Sequence, residues 1–198
     1  VTQQVEFFFD PVCPFCWQTS KWFRQVARLT DMEPVWRFIS LAILNEEGDD
    51  PASMQAGHLV GLRLLRVAAA AGRAHGQHAV GSLYEELGTR LWEQVPDVAG
   101  PLEGDELGKA VGDHQQGVVD ALPDVLRAVG LPVELAAAAA DPAHDVELAA
   151  STREAMARTG GDVGTPILGW DGPGGPAFFG PVISTTPTDE EAVRLWEA

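Results

Sequence analysis

The chain has 198 residues, 45% apolar and 21% charged, enough for one sizeable core or for one domain carrying an insertion. Its net charge of −16, from 13 Lys and Arg against 29 Asp and Glu, argues against nucleic acid or an anionic membrane as partner, because phosphate binding needs clustered cations. No run reaches the roughly 18 apolar residues of a membrane span, no basic-apolar-small leader pattern opens the chain, and two cysteines are too few for a multi-bridge secreted scaffold. A cytoplasmic location is the expectation.

The first forty residues read as strand, turn, helix, strand. "VEFFF" (Val5 to Phe9) is an apolar, aromatic run of the kind expected for a strand covered on both faces. Asp10-Pro11 breaks it. From Pro14 the period changes: Cys16, Thr19, Phe23, Val26 and Thr30 share one helical face, and Lys21, Arg24 and Arg28 another. Pro14 suits a first helical turn, where its missing N–H would be unpaired anyway. A second strand is expected from about Val35 to Ser40.

Asp50 to Arg158 is rich in Ala, Leu and Glu and nearly devoid of strand signal. Helices are expected near 51–74, 78–94, 117–129 and 142–158. Asp50-Pro51 and Asp141-Pro142 have the form of an N-cap followed by a first-turn proline, and Gly130 with Pro132 that of a helix end. Residues 96–116, dotted with Gly and Pro, are assigned no element. Strands return at "TPILGW" (Thr165 to Trp170) and "PAFFG" (Pro176 to Gly180), flanking the hairpin composition "DGPGG". A last helix begins at "TDEE", where Thr188 and Glu191 have capping-box spacing. The fold class is therefore α/β: an order βαβ…ββα interrupted by a large all-helical insertion. Residues 1–45 and 160–198 are too short to fold apart and are expected to form one discontinuous domain, with 46–159 as the helical insertion.

The chemistry centres on "CPFC", which holds the only two cysteines, Cys13 and Cys16. A Cys-x-x-Cys at a strand-to-helix junction places its first sulfur beside the unpaired N–H groups of the first turn, which favour the reactive thiolate. Cys13 would then attack a disulfide or other soft electrophile, and Cys16 would resolve the mixed disulfide. Three other readings stay open: both cysteines as core residues, two of four zinc ligands with His75 and His78 as the nearest spaced pair, or a cluster bridge between subunits. Turn residues on both sides of Cys13, and the exposed look of "AHGQH", favour the redox pair.

With "FDPVCPFCWQTSKW", "SLAILNE", "AHG", "VGTP" and "FFGPVIS", the chain resembles the DsbA family of thioredoxin-fold oxidoreductases. It is most similar to an actinobacterial branch of mycothiol-dependent reductases or nitroreductases. The resemblance is strong at both ends and loose in the insertion. It implies a thioredoxin fold interrupted by a helical domain, with Cys13 as nucleophile, Cys16 as resolving thiol, and Thr165 with a cis Pro166 as the wall facing substrate. It also implies no tightly bound cofactor and mycothiol as co-substrate. Phe15 departs from the Trp of that branch.

The substrate-facing candidates are Pro14, Phe15, Trp17, Asn45, Thr165 and Pro166. Trp17 reads equally as a core aromatic, and Asn45 more simply as a turn former than as a thiol binder. Asp10 is either a turn former or a charge that opposes the Cys13 thiolate. Trp92 reads more simply as core than as a cleft residue. The expected partners are a small thiol and an electrophilic or disulfide substrate, with a homodimer left open. A protein disulfide oxidase or isomerase, and a non-catalytic redox sensor, are the alternatives.

Overall fold

The computed structural model describes residues 2–95, 104–161 and 163–198. Its sheet begins with β1 (Gln3–Phe9), crosses over through α1 (Pro14–Leu29) and returns in β2 (Met32–Phe38), which pairs parallel to β1. After a helical block, β3 (Ile167–Trp170) pairs antiparallel to β1 and β4 (Ala177–Phe179) antiparallel to β3, giving the order β2-β1-β3-β4. Along the chain these elements follow the βαβ…ββα order read from the sequence. Between β2 and β3 lie α2 (Leu41–Leu44), α3 (Ala52–Trp92), α4 (Gly104–Asp120), α5 (Leu122–Ala128), two 3-10 segments (Val133–Ala140 and Pro142–His144) and α6 (Asp145–Thr159). The C-terminal α7 (Asp189–Glu197) follows the hairpin. By compactness, residues 1–9, 13–39 and 150–198 form one unit, and residues 10–12 and 40–149 another.

The period-2 pattern of β1 decides the layers of the sheet unit. Phe7 and Phe9 face α1, and Phe7 lies 5.0 Å from Phe23 of α1 and 5.6 Å from Trp36 of β2 between ring centres. Trp22 of α1 donates its indole N–H to the carbonyl of Ala192 at 3.1 Å, which docks α7 on the same face. Phe8 faces the other way and packs with Ile39, Ala155 and Ile167, covered by Met156 of α6. Polar groups are buried there too. Glu6 accepts from Arg37 at 2.7 Å and Arg158 at 2.5 Å, and Glu154 accepts from the same two arginines. Arg158 also donates to the carbonyls of Gly175, Trp170 and Pro176, closing the β3–β4 hairpin. Gly169 is glycine for this reason: a Cβ there would stand 2.5 Å from the Arg158 guanidinium.

The helical unit is built on α3, which buries Leu64, Leu65, Val67, Ala68, Leu83, Leu87 and Leu91 against α4, α5 and the first 3-10 segment. Arg66 ties the unit to the start of α6, meeting both carboxylate oxygens of Asp145 at 2.7 Å. The expected helices 51–74 and 78–94 are the two arms of α3, parted at Gly76 (φ 80°, ψ −174°). His75 and His78 flank that break and are exposed.

Several boundaries differ from the sequence reading. β2 starts at Met32 rather than Val35, because pairing with Gln3 of β1 extends it. Pro34 fits inside it because an edge strand leaves one side of its backbone unpaired. Of the unassigned 96–116, residues 96–103 lie outside the described residues, while 104–116 belong to α4. The expected helix 117–129 divides at Ala121 between α4 and α5. Among the described residues no helix is long and apolar enough to cross a membrane.

Candidate functional site

Cys13 is the N-cap of α1, with extended backbone (φ −88°, ψ 113°), and Pro14 is the first helical residue. The cap geometry turns the sulfur back over the first turn, where Cys13 Sγ accepts the backbone N–H of Cys16 at 3.3 Å. A second donor comes from far along the chain: Thr165 Oγ1 donates to Cys13 Sγ at 3.1 Å. No acidic residue occupies the first turn of α1, so the positive end of the helix is uncompensated.

These contacts depress the Cys13 thiol from 9.0 to about 6. The largest cause is the hydrogen bond from the Cys16 side chain. The Thr165 hydroxyl and the N–H groups of Cys16 and Phe15 add to it, against burial, which alone would push the thiol up. Cys13 and Cys16 are both buried and carry no disulfide. The result is a dithiol whose first sulfur is ionised near neutral pH and whose second lies one turn along the same helix.

The neighbours of the pair differ in exposure. Pro14 is exposed, and Phe15 is 55% exposed at the outer surface of the turn. Trp17 is buried, with the Lys21 ammonium 5.6 Å from its ring centre. The Thr165-Pro166 bond is cis, and the Pro166 carbonyl accepts the Gly180 N–H at 2.9 Å. The structure thus brings Cys13, Cys16 and Thr165 together, with Pro14, Phe15, Trp17 and Pro166 adjacent to them in the chain.

Asn45 belongs to the helical unit. It caps α2 and donates its amide to the Leu41 carbonyl at 3.0 Å, while its own carbonyl accepts the Gly48 N–H. Asp10 is likewise committed to a turn: its buried carboxylate accepts the N–H of Val12 at 3.1 Å and that of Leu41 at 2.9 Å. Sequence reading missed the Thr165 hydroxyl as a sulfur ligand, having assigned that residue to a backbone wall. It also missed a second cis bond, Gly180-Pro181, whose proline carbonyl accepts from Thr19 of α1 at 3.0 Å. The Gly-Pro dipeptide was the available signal.

Comparison with known proteins identifies the family and the fold. Residues 12–198 match the family described as Rv2466c-like, mycothiol-dependent nitroreductase Rv2466c. The uncharacterized protein Rv2286c of Mycobacterium tuberculosis (strain ATCC 25618 / H37Rv) is 28% identical over 192 residues, covering 97% of this chain and 74% of that protein. Among solved structures, a candidate protein-disulfide isomerase from Pseudomonas syringae superposes with a TM-score of 0.52 at 19% identity, over 97% of this chain and 92% of the other. A 2-hydroxychromene-2-carboxylate isomerase superposes with a TM-score of 0.48 at 16% identity, over 98% and 93%. The fold, the cysteine pair at the start of α1 and a match over nearly the whole chain lead to one conclusion: the chain belongs to the Rv2466c-like family of mycothiol-dependent nitroreductases, thiol-dependent oxidoreductases of the DsbA-like class.

Proposed function

We propose that the chain is a cytoplasmic dithiol reductase in which Cys13 is the nucleophile, Cys16 the resolving thiol and mycothiol the source of electrons. The observation that carries this reading is the Cys13 sulfur itself, at the N-cap of α1, accepting the Cys16 N–H at 3.3 Å and the Thr165 hydroxyl at 3.1 Å. A disulfide substrate is reduced in two exchanges. The Cys13 thiolate displaces one thiolate of the substrate, forming a mixed disulfide. Cys16 then attacks the Cys13 sulfur, releasing the second thiolate and leaving a Cys13–Cys16 disulfide. Two mycothiol molecules reverse these exchanges, leaving the enzyme as the dithiol and mycothiol as its disulfide. A nitroaromatic substrate taken to the nitroso level would consume the same two electrons and two protons and release water. Pro14, Phe15, Thr165 and Pro166 are assigned to the substrate-facing side.

The test is the intact mass of a Cys16→Ser variant after exposure to oxidised mycothiol and, separately, oxidised glutathione. Rapid formation of a mycothiol adduct at Cys13, with slow glutathione labelling, is expected. Equal slow labelling by both, or none, overturns the thiol assignment. Phe15, exposed beside the reactive sulfur, favours a protein disulfide oxidase or isomerase as the second reading; rapid refolding of a scrambled protein substrate, with no mycothiol preference, would establish that one instead.

A further inference from the structure

Residues Asp10 to Val12 connect β1 to Cys13, yet they cluster with the helical unit rather than with the sheet. The β1 ladder ends at Phe9, so the sheet does not fix the backbone of this tripeptide. Three contacts inside the helical unit do. The Asp10 carboxylate accepts the Leu41 N–H, at the start of α2, at 2.9 Å. Gly61 of α3 approaches so closely that a Cβ there would lie 2.6 Å from Val12 Cγ2 and would collide with the Asp10 carboxylate. Trp92, the last residue of α3, donates its indole N–H to the Pro11 carbonyl at 3.0 Å. Proline has no N–H of its own, so this carbonyl is the only hydrogen-bonding group that Pro11 offers.

The Trp92 end of the arrangement is itself held. His114 of α4 lies 3.0 Å from the Arg90 carbonyl and 3.3 Å from that of Leu91, through one nitrogen, Nε2. Both partners are acceptors, so Nε2 carries the proton. The last turn of α3 is therefore tied to α4 immediately beside Trp92. Cys13 follows Val12 directly, and its capping geometry depends on the angle at which the chain enters α1. An N-cap whose entry is loosened loses alignment with the donors of the first turn.

We infer that Trp92 is a positioning residue for the reaction: by holding the Pro11 carbonyl it fixes the entry of the chain onto Cys13, and Gly61 provides the space that this turn occupies. The inference rests on Cys13 being the reacting thiolate, and the experiment keeps the two apart. The full chain, with both cysteines reduced, is alkylated with iodoacetamide across pH, and labelling of Cys13 is followed by peptide mass. Trp92→Phe keeps an aromatic ring, smaller than the indole, and removes the donor. Its midpoint should rise by about half a pH unit, with alkylation slowed about threefold at pH below the midpoint, because the thiolate fraction falls by that factor. Gly61→Ala should move the profile in the same direction, and it decides the matter if Trp92→Phe does not fold. A lowered melting temperature with an unmoved profile in the folded variant makes Trp92 merely structural and overturns the inference. A wild-type midpoint near 9 overturns the thiolate reading and the inference with it. A wild-type midpoint near 6 with unmoved variants overturns the inference alone.

Discussion

A thiol depressed from 9.0 to about 6 is set by three residues with different addresses in the sequence. Cys16 is three positions on, and its donors follow from the helix itself, so this part of the site was legible in "CPFC". Thr165 lies 152 positions away, and nothing local in "VGTP" marks its hydroxyl as a sulfur ligand. The order of the causes yields a prediction. Cys16→Ala should raise the midpoint of Cys13 alkylation further than Thr165→Val, since the Cys16 side chain is the largest contributor. The reverse order would refute this account of the thiolate. The sign of the linkage follows as well. A depressed folded-state pKa means that stability of the reduced protein grows as pH rises from about 6 towards 9, and that this contribution is lost as pH falls through about 6. Denaturant midpoints of the reduced chain across that window measure it, and a flat profile would contradict it. Phe15 and Trp17 illustrate the limit of reading aromatics by composition. Both flank Cys16, but Phe15 stands on the solvent side of the first turn and Trp17 on the buried side.

At the scale of elements, caps and periods were readable because they are local. Thr188 and Glu191 form the expected capping box at the start of α7, and Gly130, with φ 71°, stands just past the end of α5. α4 escaped because Gly104, Gly108, Gly112 and Gly117 lower its intrinsic helix propensity. Packing overrides that cost: a Cβ on Gly108 would stand 3.3 Å from Ser53 Cβ, so glycine lets α4 approach α3. The hairpin β3–β4 was recognised from "DGPGG", but its anchor, Arg158, was not. That side chain is 4% exposed and shares Glu6 with Arg37. Removing it leaves Glu6 and three hairpin carbonyls short of a donor. Arg158→Met is expected to destabilise the fold by about 3 to 5 kcal/mol, read as a shift in the urea midpoint at unchanged slope. A loss below about 1 kcal/mol would show that the network is not what holds α6 to the hairpin.

Over the whole molecule, 29 acidic groups face 13 Lys and Arg. Among the described residues, Arg37, Arg66, Arg90 and Arg158 stand in close ion pairs at partly or fully buried positions. The remaining imbalance is self-repulsion, which salt screens over a Debye length of about 8 Å at physiological ionic strength. The melting temperature should therefore rise between 10 mM and 300 mM NaCl, conditions chosen to span roughly 30 Å to under 8 Å of screening. A fall would mean that the paired arginines outweigh the repulsion.

By itself the sequence determined the βαβ…ββα order of the strands and helices around the insertion, the placement of the only two cysteines at the N-terminus of a helix, and through them the class of chemistry. Those features rest on short-range rules: alternation, helical period, caps and turn residues, each contained in a handful of neighbours. Only the tertiary structure decided what surrounds the sulfur and what holds the chain that leads to it. The Thr165 donor, the early start of β2, the close approach of Gly61 and the Trp92 bond to Pro11 join residues dozens of positions apart. A contact of that kind depends on how whole elements pack, and packing leaves no periodic mark in the residues that make it.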